Sequence, residues 1–370
     1  MIPVNEPLLA GNEKKYLAEC IDSGWISSDG PFVARFEEAM AARVSRRHGT
    51  AVCNGTAALD VAIEALGIGA GDEVILPSFT IISCVGQIVR CGATPVLVDS
   101  DARTWNMDVR QIEAKITPRT KAIVIVHVYG LPVDVQPVLD LGRRYGLRVL
   151  EDAAQMHGQT YRERPCGSFG DLSTFSFYPN KLVATGEGGM VVTDDDGLAA
   201  TCRSLRNLCF EPGRRFVHER LGWNFRMSNL QAAVGLAQLE RLDDFVARKR
   251  AMGRCYNELL AGLEGVELPP AAADYAESIY WVYGIVLDDS VACDAAEMMH
   301  ALAALGVGCR PFFCPMHLQP ALRRRELFAG ECYPVAERLY RRGFYLPSGL
   351  ALTQGQMVRV AEALRTVLRR

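Results

Sequence analysis

No segment of the 370-residue chain reaches the roughly 18 consecutive apolar residues that a membrane-crossing helix requires, so no membrane span is expected. The opening residues, MIPVNEPLLAGNEKKY, carry charges early and have no apolar leader core. No signal peptide is expected, and the expected compartment is the cytoplasm. The 12 cysteines contain no Cys-x-x-Cys pair and are scattered through apolar surroundings such as those of Cys53 and Cys91. Scattered thiols in a chain of this size fill cores, so neither disulfides nor a metal site is expected. Charge of one sign is also missing. The 40 basic and 43 acidic residues leave a net charge of −3, which excludes a general attraction to nucleic acid. No internal repeat and no low-complexity linker interrupts the chain.

What remains is an ordinary globular composition, 49% hydrophobic and 22% charged, in a chain long enough for two domains. Short β-rich runs alternate with helical stretches. The runs are GTAVCN (49–54), DEVILP (72–77), TPVLVD (94–99), TKAIVIVHVYG (120–130), LRVLED (147–152), LSTFSF (172–177) and GGMVVTD (188–194). Their continuous apolar character implies strands covered on both faces. Their alternation with helices implies an α/β fold around a mostly parallel, doubly wound sheet. After Ser228, apolar residues recur at helical spacing for about 30 residues, which predicts one long connecting helix. Beyond it, YWVYGIVL, ALAALGVGCRPF and RGFYLPS predict a smaller α+β C-terminal domain. The expected division is a large domain with an N-terminal arm over 1–250 and a small domain over 251–370.

In open α/β sheets, ligands bind beyond the carboxyl ends of the strands. Three such ends carry reactive groups. CNGTAAL closes a strand and opens a helix. There Gly55 and Thr56 either offer backbone N–H groups and a hydroxyl to an anion, or belong to a plain helix cap made by Asn54 or Thr56. VLEDAAQMHG ends on Glu151 and Asp152, and a carboxylate at that point either caps the next turn or holds a cationic ring nitrogen. In STFSFYPNKLVATGEGG, Ser176 adds a hydroxyl for an anion, and Lys181 stands between two apolar strands beside Gly186, Gly188 and Gly189. An isolated lysine is usually solvated. A desolvated one loses its proton more readily and becomes available for Schiff-base chemistry. An anion cradle, a carboxylate and a desolvated lysine on three strand ends of one sheet suit pyridoxal 5′-phosphate.

The ordered motifs CNGTAAL, GIGAGDEVILPSFT, CGATPVLVD, ITPRTKAIVIVHVYG, LEDAAQMHG, GSFGDLSTFSFYPNK, TGEGGMVVT, LGWNFRMSNLQAAVGLAQLERL and CRPFFCPMH go further. Over nearly the whole chain they resemble the PLP-dependent nucleotide-sugar aminotransferase family, of the aspartate-aminotransferase fold (type I). The resemblance implies that Lys181 joins the cofactor and then carries the proton to and from substrate carbon. It implies that Asp152 pairs with the ring nitrogen, that Gln155 lies near the ring's phenolic oxygen, and that Gly55, Thr56 and Ser176 hold the phosphate. Asn224 would reach the phosphate of a neighbouring subunit, giving a homodimer with shared active sites.

For the substrate, Trp25, Ser27 and Ser28 resemble sugar-nucleotide contacts, with a buried packing aromatic as the other reading of Trp25. Arg214 and Arg215 either meet a diphosphate or are solvated. Arg310 and His317 either flank the sugar or are structural. His127 and Tyr129 end a strand at the expected site, where a satisfied core histidine is the other reading. Glu187 either orients substrate or fixes a turn. The resemblance further implies L-glutamate as amino donor and the C4 ketone of a nucleotide-linked 4-keto-6-deoxy sugar as acceptor. GDP-4-keto-6-deoxymannose is expected first, for surface polysaccharide (O-antigen) synthesis, with a dTDP- or UDP-linked keto sugar or a cyclitol ketone as alternatives. A lysine rather than a histidine at 181 favours transamination over dehydration. A regulatory protein on the same fold is the non-enzymatic alternative, and the presence of Lys181, Asp152 and Ser176 opposes it. One position departs from the family: Ile81 stands where relatives usually place the aromatic that covers the cofactor ring.

Overall fold

A computed structural model describes residues 1–211, 213–214 and 216–369. The larger sheet has seven strands in the order β1–β9–β8–β5–β4–β2–β3. They are β1 (His48–Val52), β2 (Glu73–Pro77), β3 (Thr94–Val98), β4 (Thr120–Val126), β5 (Arg148–Asp152), β8 (Leu172–Ser176) and β9 (Gly189–Thr193). A short hairpin, β6 (Thr160–Tyr161) and β7 (Arg164–Pro165), interrupts the series. Neighbours from β3 to β8 pair in parallel, and β9 pairs antiparallel with both β8 and β1. The apolar runs become buried strands as their composition predicts: β2 and β9 are buried at every position.

Helices α1 (Glu13–Ser23), α2 (Pro31–Arg43), α3 (Gly55–Ala65), α4 (Ser83–Arg90), α5 (Val135–Tyr145) and α6 (Asp196–Arg206) accompany this sheet. Helix α3 is buried continuously from Ala57 to Ile63 and packs on β8 and β9. Over this stretch the helix has almost no solvent face, its one buried carboxylate, Asp60, being paired with Arg90, so its position is fixed by packing.

The predicted single helix after Ser228 is two, α7 (Asn229–Leu239) and α8 (Leu242–Leu259). A capping box between Ser228 and Gln231 starts α7. The break has a physical cause that periodicity does not carry. Asn12 and Tyr16 donate to the two carboxylate oxygens of Glu240, at 2.7 and 2.5 Å, and tie this point to the N-terminal segment. Asp243 and Asp244 then supply the acidic first turn of a new helix. Helix α8 runs through residue 250 and passes from the first core, at Phe245 and Val246, to a second, at Met252 and Tyr256.

That second core surrounds an antiparallel sheet of order β10–β13–β15–β14, made by β10 (Val266–Glu267), β13 (Tyr283–Leu287), β14 (Arg310–Pro311) and β15 (Gly343–Leu346). A hairpin of β11 (Ala272–Ala273) and β12 (Ala276–Glu277) lies between β10 and β13, and α9 (Ala295–Ala304), α10 (Pro320–Arg323), α11 (Pro334–Arg342) and α12 (Gln354–Leu368) complete this half. Among the described residues, no helix is long and apolar enough to cross a membrane. The arrangement brings the ends of β1, β5 and β8 and the start of β9 to one edge of the large sheet. Arg310–Cys314, Tyr340 and Tyr345 of the second half face that edge across a cavity.

Candidate active site

The cavity measures about 980 Å³. Its floor begins where β1 passes into α3. The Asn54 side chain accepts from the Ala57 N–H at 2.8 Å and its carbonyl accepts from Ala58 N–H at 3.1 Å. Asn54 is therefore the cap, and the N–H groups of Gly55 and Thr56 are left without an acceptor among the described residues. Ser176, at the end of β8, faces them. A Cβ on Gly55 would lie 2.6 Å from the Ser176 Cβ, so helix and strand close on each other only with glycine at 55. A Cβ on Gly189 would likewise lie 2.4 Å from the Asn54 carbonyl oxygen. Two free N–H groups, two hydroxyls and the positive end of an 11-residue helix make a site for a phosphate group.

Asp152 is the last residue of β5 and is buried. One carboxylate oxygen accepts from Ala154 N–H at 3.0 Å and the other from the Cys84 thiol at 3.2 Å. Burial pushes this carboxyl above the usual range, while Ala154, Cys84 and the charge of Lys181 act in the opposite direction. Lys181 sits in the turn after β8, its N–H bonded to the Tyr178 carbonyl at 2.8 Å. Its ammonium lies 4.0 Å from the centre of the Trp281 ring and makes no hydrogen bond among the described residues. Burial lowers its pKa to about 8 against the pull of Asp152, so the amine is already abundant at mildly alkaline pH. Tyr129 N–H donates to Gln155 Oε1 at 2.6 Å, which leaves the amide NH₂ of that side chain without a hydrogen bond among the described residues. Thr174 and Asn180 line the same cavity, and Thr174 Oγ1 and Asn180 Oδ1 are buried without a hydrogen-bond partner among the described residues. Orphaned polar atoms beside an anion cradle, a carboxylate and a depressed lysine fit a bound pyridoxal 5′-phosphate, whose phosphate, ring nitrogen and aldehyde match these groups.

The other expected residues divide. Arg310, Glu187 and Ile81 line the cavity. Ile81 is 45% exposed, and Phe79 is buried behind it against Tyr129, Phe312 and Phe313. Tyr129 lies one layer back, stacked on Phe313, and its hydroxyl accepts from Phe313 N–H at 3.2 Å. Trp25, Ser27, Ser28 and Asn224 lie outside the cavity lining. The first two are exposed, their carbonyls held by Asn229 at 2.6 and 2.8 Å. Arg214 is exposed and pairs with Glu219. Arg215 lies outside the described residues.

Two expectations are corrected. His127 is fully buried away from the cavity: Nδ1 accepts from Val133 N–H at 3.0 Å, so Nε2 carries the proton and donates to Glu151 at 3.0 Å. Glu151 also accepts from the N–H groups of Gly167 and Phe169 and from Ser173, and these partners outweigh burial to hold its pKa below the usual range. Cys166 lies in the same cluster, but the lone pairs that would face a cation are committed to these bonds. His317 is also buried, bridging Ser78 at 2.8 Å and Glu337 at 2.9 Å. Both histidines are satisfied core residues. We expect His127→Ala to cost about 2–4 kcal/mol in a denaturant titration, because it takes one of two donors from a buried carboxylate oxygen, leaves a cavity and orphans the buried N–H of Val133. KM for donor and acceptor should stay within twofold; a tenfold rise with unchanged stability would return His127 to the substrate site.

Some site groups were not anticipated. Cys84 was expected only to fill space, yet its thiol supports Asp152. Trp281 stands in the sequence only as part of a strand-forming run, yet it covers Lys181 and donates from Nε1 to the Asn180 carbonyl at 2.7 Å.

The sheet and its site define a transferase of PLP fold type I. The aminotransferase TlmJ of Streptoalloteichus hindustanus superimposes with a TM-score of 0.92 at 31% identity, covering 100% of this chain and 99% of that one. DesV of S. venezuelae superimposes at 0.88 and 36%, covering 97% and 95%. In sequence, residues 7–365 match the DegT/DnrJ/EryC1/StrS aminotransferase family. The chain belongs to that family and is a PLP-dependent aminotransferase. Similar relatives include the GDP-perosamine synthases of Caulobacter vibrioides, 45% identical with 99% of this chain and 98% of that protein covered, and of Escherichia coli O157:H7, 42% identical with 98% and 97% covered. That of Vibrio cholerae is 40% identical, with 99% and 98% covered.

Proposed function

We propose that the enzyme transfers the amino group of L-glutamate to the C4 ketone of GDP-4-keto-6-deoxymannose, forming GDP-perosamine for surface polysaccharide, in the cytoplasm. The observation that carries this reading is the set of three GDP-perosamine synthases at 40–45% identity over nearly the full chain. When bound, the cofactor supplies an aldehyde and an electron-withdrawing ring. The chain's own residues do the rest. Gly55, Thr56 and Ser176 bind the phosphate, Asp152 keeps a proton on the ring nitrogen, and the free NH₂ of Gln155 serves the phenolic oxygen. Lys181 Nζ removes the α-proton of glutamate and later delivers a proton to C4 of the sugar. The apolar cavity wall excludes water from both transfers.

Arg310 and Glu187, in the cavity wall, are assigned to the substrate. Asn224, Trp25, Ser27, Ser28, Arg214 and Arg215 are assigned to shared sites of a homodimer. For all of these but Arg215, which lies outside the described residues, what supports this is a position outside the lining of the chain's own cavity, with large apolar side chains, Trp25 and Ile26, left 50% and 51% exposed beside Ser27 and Ser28.

One observation favours a second acceptor. A relative from Acidithiobacillus ferrooxidans, 40% identical over 326 residues, is named UDP-N-acetyl-3-dehydro-α-D-glucosamine 3-aminotransferase. The test offers the GDP sugar, dTDP-4-keto-6-deoxyglucose and that UDP sugar separately to the holoenzyme with glutamate, with products read by mass spectrometry. The GDP sugar should lead in kcat/KM by about 100-fold or more. Preference for either other sugar overturns the acceptor and leaves the transamination standing.

A further inference from the structure

Trp281 lies two residues before β13 and is only 3% exposed. Three contacts fix it. Its Nε1–H donates to the carbonyl of Asn180, the residue next to Lys181, at 2.7 Å. Its carbonyl accepts at 2.8 Å from Lys249 Nζ, which is buried in α8, also donates to the Ser348 carbonyl, and has no acidic partner among the described residues. On the other side the chain passes so close that a Cβ on Gly130 would lie 2.6 Å from the Trp281 nitrogen. The indole therefore cannot shift without the turn that carries Lys181, and its face meets the lysine Nζ at 4.0 Å.

We propose that Trp281 is a positioning residue for Lys181, its indole face being the place where the lysine rests as an ammonium once it has taken up a proton and is not joined to the cofactor. An aromatic face attracts a cation and gains nothing comparable from a neutral amine. The lysine freed during each half-reaction thus keeps its acquired proton within reach of the substrate carbon instead of carrying it to solvent. The titratable groups that act on Lys181 in this site are Asp152 from β5 and Cys84 from α4; His157, in the turn after β5, feels the lysine charge but is held neutral by burial, with a pKa of about 3, and Glu187 shares the cavity wall. The proposal takes its meaning from the proton-carrying role assigned to Lys181, but its test does not depend on that role.

The apoprotein is treated with a limiting amine-acylating reagent from pH 6 to 10, and labelling of Lys181 is read by peptide mass spectrometry. Wild type should titrate with a midpoint near 8. Trp281→Leu should lower that midpoint by about one pH unit, a tenfold shift towards the amine, while Trp281→Phe stays within a few tenths of wild type. An unchanged or raised midpoint in Trp281→Leu means that the indole only excludes water and overturns the proposal. A second measurement needs no Trp281 variant. Tryptophan emission of the wild-type apoprotein should change over the same range, and Lys181→Met should abolish that change. An identical titration in both proteins also overturns it. Neither reading uses cofactor or sugar, so a wrong acceptor leaves them interpretable.

Discussion

Lys181→Ala is expected to lose turnover by a factor on the order of 10⁴ or more while the protein stays folded. Two roles vanish together: the amine that joins the cofactor and the base that moves the proton. The fold should survive for a reason visible in the charge balance. Burial lowers the lysine's pKa to about 8 from an ordinary 10.5. A lysine shifted downward binds its proton more weakly in the folded than in the unfolded chain. Between about pH 8 and 10.5 the unfolded chain holds more protons, so folding stability rises with pH there, and below pH 8 the ammonium counts against the fold. Removing it should leave the apoprotein melting within a few degrees of wild type. Covalent trapping supplies a readout separate from turnover. Borohydride treatment of the wild-type holoenzyme should add the phosphopyridoxyl mass at residue 181 and nowhere else, and the variant should gain none. Full amination by Lys181→Ala would remove the lysine from the chemistry.

How much of this was legible before folding follows from how local each signal is. The strand runs, the crossing that carries Lys181 and the Gly55 helix start are short-range patterns, and a parallel sheet brings all their ends to one edge. The floor of the site could therefore be read from the sequence. Its roof could not. Trp281 reaches a residue 101 positions earlier, and Cys84 meets Asp152 across 68 positions. Nothing near either residue in the chain announces those contacts. For His127 and His317 the sequence left two readings open, and contacts distant in the chain decide for the structural one. His127 at a strand end and His317 in CRPFFCPMH read equally well as substrate contacts or as core residues until their nitrogens are counted, and all four are spent on groups the sequence does not place beside them. The unbroken helix after Ser228 failed because apolar periodicity continues through Glu240, whose carboxylate is held by the N-terminal segment.

Asp152→Asn is expected to lower kcat on the order of 10²–10³-fold with little change in structure. The asparagine keeps the shape: its oxygen can accept from Ala154 N–H as the carboxylate does at 3.0 Å. What it loses is the negative charge that keeps a proton on the ring nitrogen, and with it the electron demand that makes the α-proton removable. The carboxylate's pKa lies above its ordinary value because of burial. For a group raised in this direction, the folded chain holds more protons between the unfolded and folded pKa, so stability falls as pH rises through that window, and at neutral pH the charge contributes no stability. The variant should therefore melt at or near the wild-type temperature, and a loss of several degrees would mark Asp152 as structural. Cys84→Ala provides the graded comparison. It removes one hydrogen bond to the same carboxylate and leaves the charge, so kcat should fall by no more than about tenfold. A Cys84→Ala defect as large as that of Asp152→Asn would mean that the orientation of the carboxylate, and not its charge, limits the reaction.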